Sequence, residues 1–248
     1  MTYCVGQLLK DGLVMICDTR TNAGVDNVAS FRKLYVIEEP GERVLALASS
    51  GNLSITQSVV SLLTEGLTDP ETGEVETLAK TPTMFKAAQL VGRAVREIYR
   101  IDGASLEQHN ARFDVSLLLG GQIKGRRLRL FMIYAAGNFI ESSPDTPFLQ
   151  IGEHKYGKPI LDRAVKYNTD LYDALKVGLI SVDSTMRSNL AVGLPLDLLI
   201  LRRDALQTEL TYRIEQGEPY FEDLRQRWSE ALRATHQAIP KPPYTKKA

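Results

Sequence analysis

Residues 2–35 run TYCVGQLLK DGLVMICDTR TNAGVDNVAS FRKLY, and this stretch decides the fold. Tyr3 to Leu9 has the apolar, β-rich character of a strand, Lys10-Asp11-Gly12 is a tight turn, and Leu13 to Cys17 returns as a second strand. Working outward, Lys33 to Glu38 and Arg43 to Ala48 flank Glu39-Pro40-Gly41-Glu42, where proline presets φ and glycine accepts a positive φ, so a second hairpin follows the first.

Beyond Ser49-Ser50-Gly51-Asn52 the period changes. Ile55, Val59, Leu62 and Leu63 recur at helical spacing, and a polar loop through Asp69-Pro70 and Gly73 ends that helix. Thr83 caps a second helix running to about Arg100, with Phe85, Ala88, Val91, Val95 and Ile98 along one stripe. Strands return at Phe113 to Leu119, Arg127 to Tyr134 and, more weakly, Asn138 to Ser142, with turns at Gly120-Gly121 and Ala136-Gly137. Gly157 to Tyr167 and Thr169 to about Ser188 are helical, and a last strand, Leu196 to Leu201, precedes a C-terminal helix. Strands and helices in segregated blocks predict an α+β chain in which antiparallel sheets stack and helix pairs cover their outer faces. Residues 1–238 are expected to form a single domain, and 239–248 a flexible tail rich in proline and lysine.

Composition narrows the function. Of 248 residues 44% are hydrophobic, ample for a core, and 30 basic against 30 acidic residues leave no global field to attract nucleic acid or an anionic membrane. No apolar run nears the roughly 20 residues that span a bilayer, and Met1 leads into Tyr3 without a basic, apolar leader, so a cytoplasmic protein is expected. Cys4, Cys17 and three scattered histidines offer no metal-ligand set, and no cofactor motif is present. The cysteines are reduced strand residues on this reading, a redox pair being conceivable if their strands lie side by side. His109 and His154 are loop residues, and the basic cluster Lys124 to Arg129 is a solvated hairpin.

The chemistry concentrates at the start. A threonine hydroxyl is a weak nucleophile until a base takes its proton, and a free α-amine on the same residue, with a pKa of about 8, is such a base. Removal of Met1 would leave Thr2 in that state. Lys33 beside Thr2 would favour the alkoxide, and a buried Asp18 would keep the lysine charged and oriented.

The T-x-x-x hairpin at Thr2, the run Asp18-Thr19-Arg20-Thr21-Asn22-Ala23-Gly24-Val25-Asp26-Asn27 and the later Ser30-Phe31-Arg32-Lys33-Leu34 resemble the start of a proteasome β subunit. They are most similar to Anbu, the bacterial proteasome-related family called ancestral β subunit, and the order of elements follows that family through about Asp204. The resemblance implies a four-layer α-β-β-α sandwich of the N-terminal-nucleophile hydrolase type. Thr2, Asp18 and Lys33 would stand at one open end, with Thr2 forming an acyl-enzyme during cleavage of a peptide or other amide bond. It also implies an oxyanion donor in the turn Ala48-Ser49-Ser50-Gly51, with Ala48 aligning best, and substrate-pocket walls at Thr21, Phe31 and Ser49. An aspartate and a serine beside the amine are matched by Asp183 and, after a gap at Met186, by Ser188. Where a serine is usual before the third helix, the chain has Ile151-Gly152-Glu153-His154. These departures leave a scaffold with little turnover, or an amidase acting on a small amide or ligated peptide, as alternatives.

In the last helix Tyr220, Leu224, Trp228 and Leu232 lie four apart, a stripe suited to packing on the chain's own body or to a subunit interface. The family works as assemblies, so the resemblance implies a homo-oligomer, closed as a ring or wound as an open helix. No docking motif for an ATP-driven unfoldase is recognisable.

Overall fold

The computed structural model describes residues 2–22 and 28–244. Met1 and its expected removal, residues 23–27 of the Asp18 to Asn27 run and residues 245–248 of the expected tail lie outside the described residues. The chain runs β1 (Tyr3–Leu8), β2 (Gly12–Asp18), β3 (Arg20–Asn22), β4 (Val28–Ser30), β5 (Leu34–Glu39) and β6 (Arg43–Gly51), then α1 (Leu53–Glu65), the short pair β7 (Leu67–Thr68) and β8 (Val75–Glu76), and α2 (Met84–Gln108). It continues with β9 (Val115–Ile123), β10 (Arg129–Ile133), β11 (Phe139–Glu141), β12 (Phe148–Gly152), α3 (Lys158–Ala164), α4 (Leu171–Ser188), β13 (Leu196–Arg202), β14 (Thr208–Ile214) and α5 (Pro219–Ala238).

Two five-stranded antiparallel sheets dominate, ordered β12-β1-β2-β13-β14 and β11-β10-β9-β6-β5. Apolar side chains alternate across their strands, and this alternation separates three cores. Cys4, Met15, Ala46, Leu118, Leu130 and Leu199 meet in one cluster drawn from both sheets. On the other face of the second sheet, Leu45, Leu47 and Leu119 pack with Ile55 and Val59 of α1 and Val91 and Val95 of α2. On the other face of the first, Val5, Val14 and Ile16 pack with Leu161, Leu175, Leu179 and Phe221 of α3, α4 and α5.

Several expectations are corrected. Gly120-Gly121 is no turn: both residues lie within β9, opposite Leu130 and Arg129. A Cβ on Gly120 would come 2.5 Å from Leu13 Cδ2 in the facing sheet, so glycine here serves close approach of the layers. Helix α2 runs on to Gln108, past Asp102-Gly103, because Leu106 still reaches the core. Phe85 leaves that core and is 43% exposed, meeting Phe139 edge to face. Strands β12 and β14 were not foreseen; β14 is an edge strand, mostly exposed, and lacks the apolar alternation of a covered one. The basic hairpin is solvated as expected, with Lys124 paired to Glu42 and Arg127 and Arg129 to Glu141.

Cys4 and Cys17 stand directly opposite one another on β1 and β2, buried and unbridged. Burial pushes the Cys17 thiol well up, so the thiolate that oxidation needs is disfavoured there.

Candidate active site

The site grows from the ends of three strands. Register along β1 and β2 opposes Cys4 to Cys17 and so brings Tyr3 to the level of Asp18, the last residue of β2. The Tyr3 amide donates to Asp18 Oδ1 at 2.9 Å, and the same oxygen accepts from Lys33 Nζ at 2.9 Å. Lys33 enters from the segment before β5 and donates a second bond, 2.5 Å, to the carbonyl of Arg20. Thr2, Asp18 and Lys33 are all buried, at 5%, 0% and 4% exposure. One carboxylate oxygen therefore ties the ammonium to the backbone next to Thr2.

Burial pushes the Asp18 carboxyl above the ordinary aspartate range, while Lys33 and the amides of Tyr3 and Gly193 pull it back. Gly193 N reaches Oδ2 at 3.5 Å from the loop between α4 and β13, which closes the carboxylate from a third side. Arg20, whose carbonyl holds Lys33, lies against Gly193 and donates from Nη1 to the carbonyl of Leu190.

Thr2 is pinned by β12. Tyr3 opposes Gly152 in the ladder, and Glu153 N donates to Thr2 O at 2.7 Å. Gly152 has φ +82°, and a Cβ there would fall 2.0 Å from Thr2 O, so only glycine lets the strand close this tightly. Tyr3 itself anchors β1 from below: Gln150 Nε2 donates to its hydroxyl, which bonds Ser181 Oγ, which donates to Gly178 O. Burial raises the Tyr3 hydroxyl well above the usual tyrosine range, keeping it a neutral donor.

Three expected residues have other partners or surroundings. Asp183 is fully buried, and both its oxygens are engaged, Oδ2 by Arg187 Nε at 3.1 Å and Oδ1 by Arg225 Nε of α5 at 2.6 Å. It ties α5 to α4. Ser188 is exposed at the end of α4. What α4 brings to the site is its C-cap, Asn189, whose amide donates to Glu153 Oε2 at 3.3 Å. The expected turn at Ala48 is strand, since β6 runs on to Gly51. Ser49 N bonds Lys33 O and Asn52 N bonds Asp114 O, and pairs of an antiparallel ladder alternate. Ala48, opposite Leu118, therefore turns its N–H toward β9; Gly51, opposite Val115, turns its N–H away from β9.

Of the expected pocket walls, Ser49 is buried, Thr21 is half-buried in the β3–β4 hairpin, and Phe31 is 39% exposed with its amide bonded to Thr19 O. Glu153, Asn189 and Gly193 were not singled out from sequence. The one available signal was the glutamate standing where a serine was looked for.

No protein-family model and no curated protein matches the chain. Solved structures do. Anbu (ancestral β-subunit) from Yersinia bercovieri is 48% identical, with 98% of this chain and 100% of that one covered at a TM-score of 0.89. Anbu from Hyphomicrobium sp. strain MC1 is 50% identical, with coverage of 97% and 99% and a TM-score of 0.88. The helical assembly of the Anbu complex from Pseudomonas aeruginosa gives 45% identity, 98% of each chain and a TM-score of 0.90.

Proposed function

The chain belongs to the Anbu (ancestral β-subunit) family of proteasome-related proteins, and from that premise we propose that it is a threonine hydrolase of the N-terminal-nucleophile type. The observation that carries the reading is the single Asp18 oxygen shared by Tyr3 N and Lys33 Nζ, which sets a charged lysine beside residue 2 in a buried place. The two sheets with helices on their outer faces are then the four-layer sandwich of that class, formed by residues 1–238 as one domain.

Loss of Met1 frees the α-amine of Thr2. That amine takes the proton of Oγ1 as Oγ1 bonds the carbonyl carbon of a peptide or other amide, and the carbonyl electrons move onto oxygen. The Lys33 ammonium stabilises the alkoxide character of Oγ1, and Asp18 keeps Lys33 charged. Gly51, in place of Ala48, turns its N–H to the developing oxyanion. Collapse returns the electrons and expels the amine product with the proton held on the α-nitrogen. Water then attacks the ester by the same route and regenerates Thr2. Thr21, Ser49 and Phe31 line the substrate path.

An assembly of identical copies fits the relative described as a helical complex, and for this chain a homo-oligomer in the cytoplasm is proposed, as an open helix or a ring. Among the described residues no helix is long and apolar enough to cross a membrane.

A second reading, a proteasome-like scaffold with little turnover, is favoured by the engagement of both Asp183 oxygens by arginines and the exposure of Ser188. The test begins with intact mass after expression in a bacterial cytoplasm, where loss of Met1 is expected. An epoxyketone, which needs both a hydroxyl and a free amine on one residue, should then modify the wild type and leave Thr2→Ala untouched. Equal labelling of the two, or a population wholly retaining Met1, sinks the enzyme reading.

A further inference from the structure

Glu153 is a buried carboxylate that the reaction above leaves unused, at 8% exposure. The β1–β12 ladder fixes its place. Leu8 N bonds Pro147 O at one end and Glu153 N bonds Thr2 O at the other, so Thr2 and Glu153 stand opposite one another across the two strands. Tyr3 N points the other way, to Asp18 of β2, so alternation puts the Thr2 nitrogen on the β12 side, next to Glu153.

Among the described residues the carboxylate bonds only neutral amides: Oε1 accepts from Lys155 N at 3.2 Å and Oε2 from Asn189 Nδ2 at 3.3 Å. Both bonds are long, and a buried carboxylate without a cation is costly. Of the nearby cations, Lys33 is held by Asp18 and the Arg20 carbonyl, Arg20 reaches Leu190 O, Arg187 is held by Asp183, and Lys158 by Asp162; the His154 ring turns to Gly152 O. Lys155 is exposed and makes no ion pair with Glu153.

We infer that Glu153 is a positioning residue for the α-amine of Thr2, with Asn189 holding the carboxylate in line. The inference rests on the reading of Thr2 as a free N-terminal nucleophile and assigns to this carboxylate the place where a serine was looked for. When the amine takes the Oγ1 proton, that proton stays on nitrogen, and Glu153 accepts a hydrogen bond from the ammonium formed. No bond to Glu153 forms or breaks. Before the step the same contact aims the nitrogen lone pair at Oγ1.

The experiment uses full-length protein carrying 13C-threonine, shown by intact mass to lack Met1, as wild type, Glu153→Gln and Glu153→Asp. The Thr2 Cα shift is followed through pH. An anionic partner within a few ångströms favours the charged amine, so Glu153→Gln should lower the amine pKa by about one unit or more and Glu153→Asp should restore part of it. The pH at which epoxyketone labelling reaches half its maximum should fall with it in Glu153→Gln, a shift that loss of packing alone does not produce. An amine titration unmoved in folded Glu153→Gln, or in Glu153→Asp should the glutamine variant not fold, overturns the role of Glu153 and leaves Thr2 as nucleophile untouched. Met1 retained throughout the wild type overturns both.

Discussion

Asp18 carries opposing demands. The proposed chemistry needs its charge to hold Lys33, yet burial favours its proton, and the net result is a carboxyl raised above the ordinary aspartate value of about 4. A folded-state pKa above the unfolded one means that the native protein binds the proton more tightly. The stability this confers is complete below the unfolded value and is lost as pH rises through the folded one. Urea unfolding of wild type and Asp18→Asn should therefore show wild type losing ground to the variant as pH climbs from about 4 toward neutrality. Labelling of Thr2 should move the other way, falling as acid protonates Asp18. A stability difference flat across that interval would mean that Asp18 titrates normally. Thr2, Asp18 and Lys33 were legible in sequence because each sits at a strand start or end whose position a hairpin fixes. The surroundings of Asp183 were not, because position along α4 does not tell what each turn of the helix meets, and of its two arginine partners Arg225 lies 42 residues away. Ala48 was misplaced for a related reason: a strand three residues longer than foreseen moves the outward-turned amide to Gly51.

Strand β12 does more for the site than its five residues suggest. It supplies Gly152, which lets Glu153 N reach Thr2 O, so the tightness of one rung sets where Thr2 stands. Gly152→Ala asks a non-glycine residue to hold φ +82° and puts a Cβ where the Thr2 carbonyl lies. Strain of this kind costs about 1–3 kcal/mol. For a chain of this size that corresponds to about 2–4 °C of Tm per kcal/mol. Scanning calorimetry should show that loss, and epoxyketone labelling of Thr2 should fall further than stability does, since Thr2 must move. Labelling at the wild-type rate would mean that the rung is not what positions the hydroxyl. The helices were the legible elements, because α1, α2 and α4 each bury a stripe and carry the caps Asn52, Thr83 and Asp170. Strand β12 was not, since Phe148-Leu149-Gln150-Ile151-Gly152 is too short for its alternation to stand out from a loop, and only pairing with β1 reveals it.

At the level of the molecule, α5 is the element whose burial is incomplete. Phe221 and Leu224 lock its first turns under α4, and Asp183 holds Arg225. Trp228 is half-buried, and every residue from Glu230 to Ala238 is exposed. The sequence stripe was thus right about a packed face and about Leu224, and wrong about its ends: Phe221, not Tyr220, is the anchor, and Leu232 is 51% exposed. Helices as short as this outer half are marginal in water without a surface to lie on. Trp228 and Leu232 continue into Ile239, 64% exposed, along one side of the helix, an apolar strip that the described residues leave partly or largely open. In an assembly of identical copies that strip has a natural cover in the neighbouring subunit. Leu232→Glu places a charge in the strip at a position where the isolated chain loses little, a surface helix change within about 0.5 kcal/mol. Far-UV circular dichroism should stay as in wild type while light scattering shows the mass fall toward that of one or two chains. If the mass of the variant equals that of wild type, α5 covers only its own body, and the contacts between copies must be sought on another face.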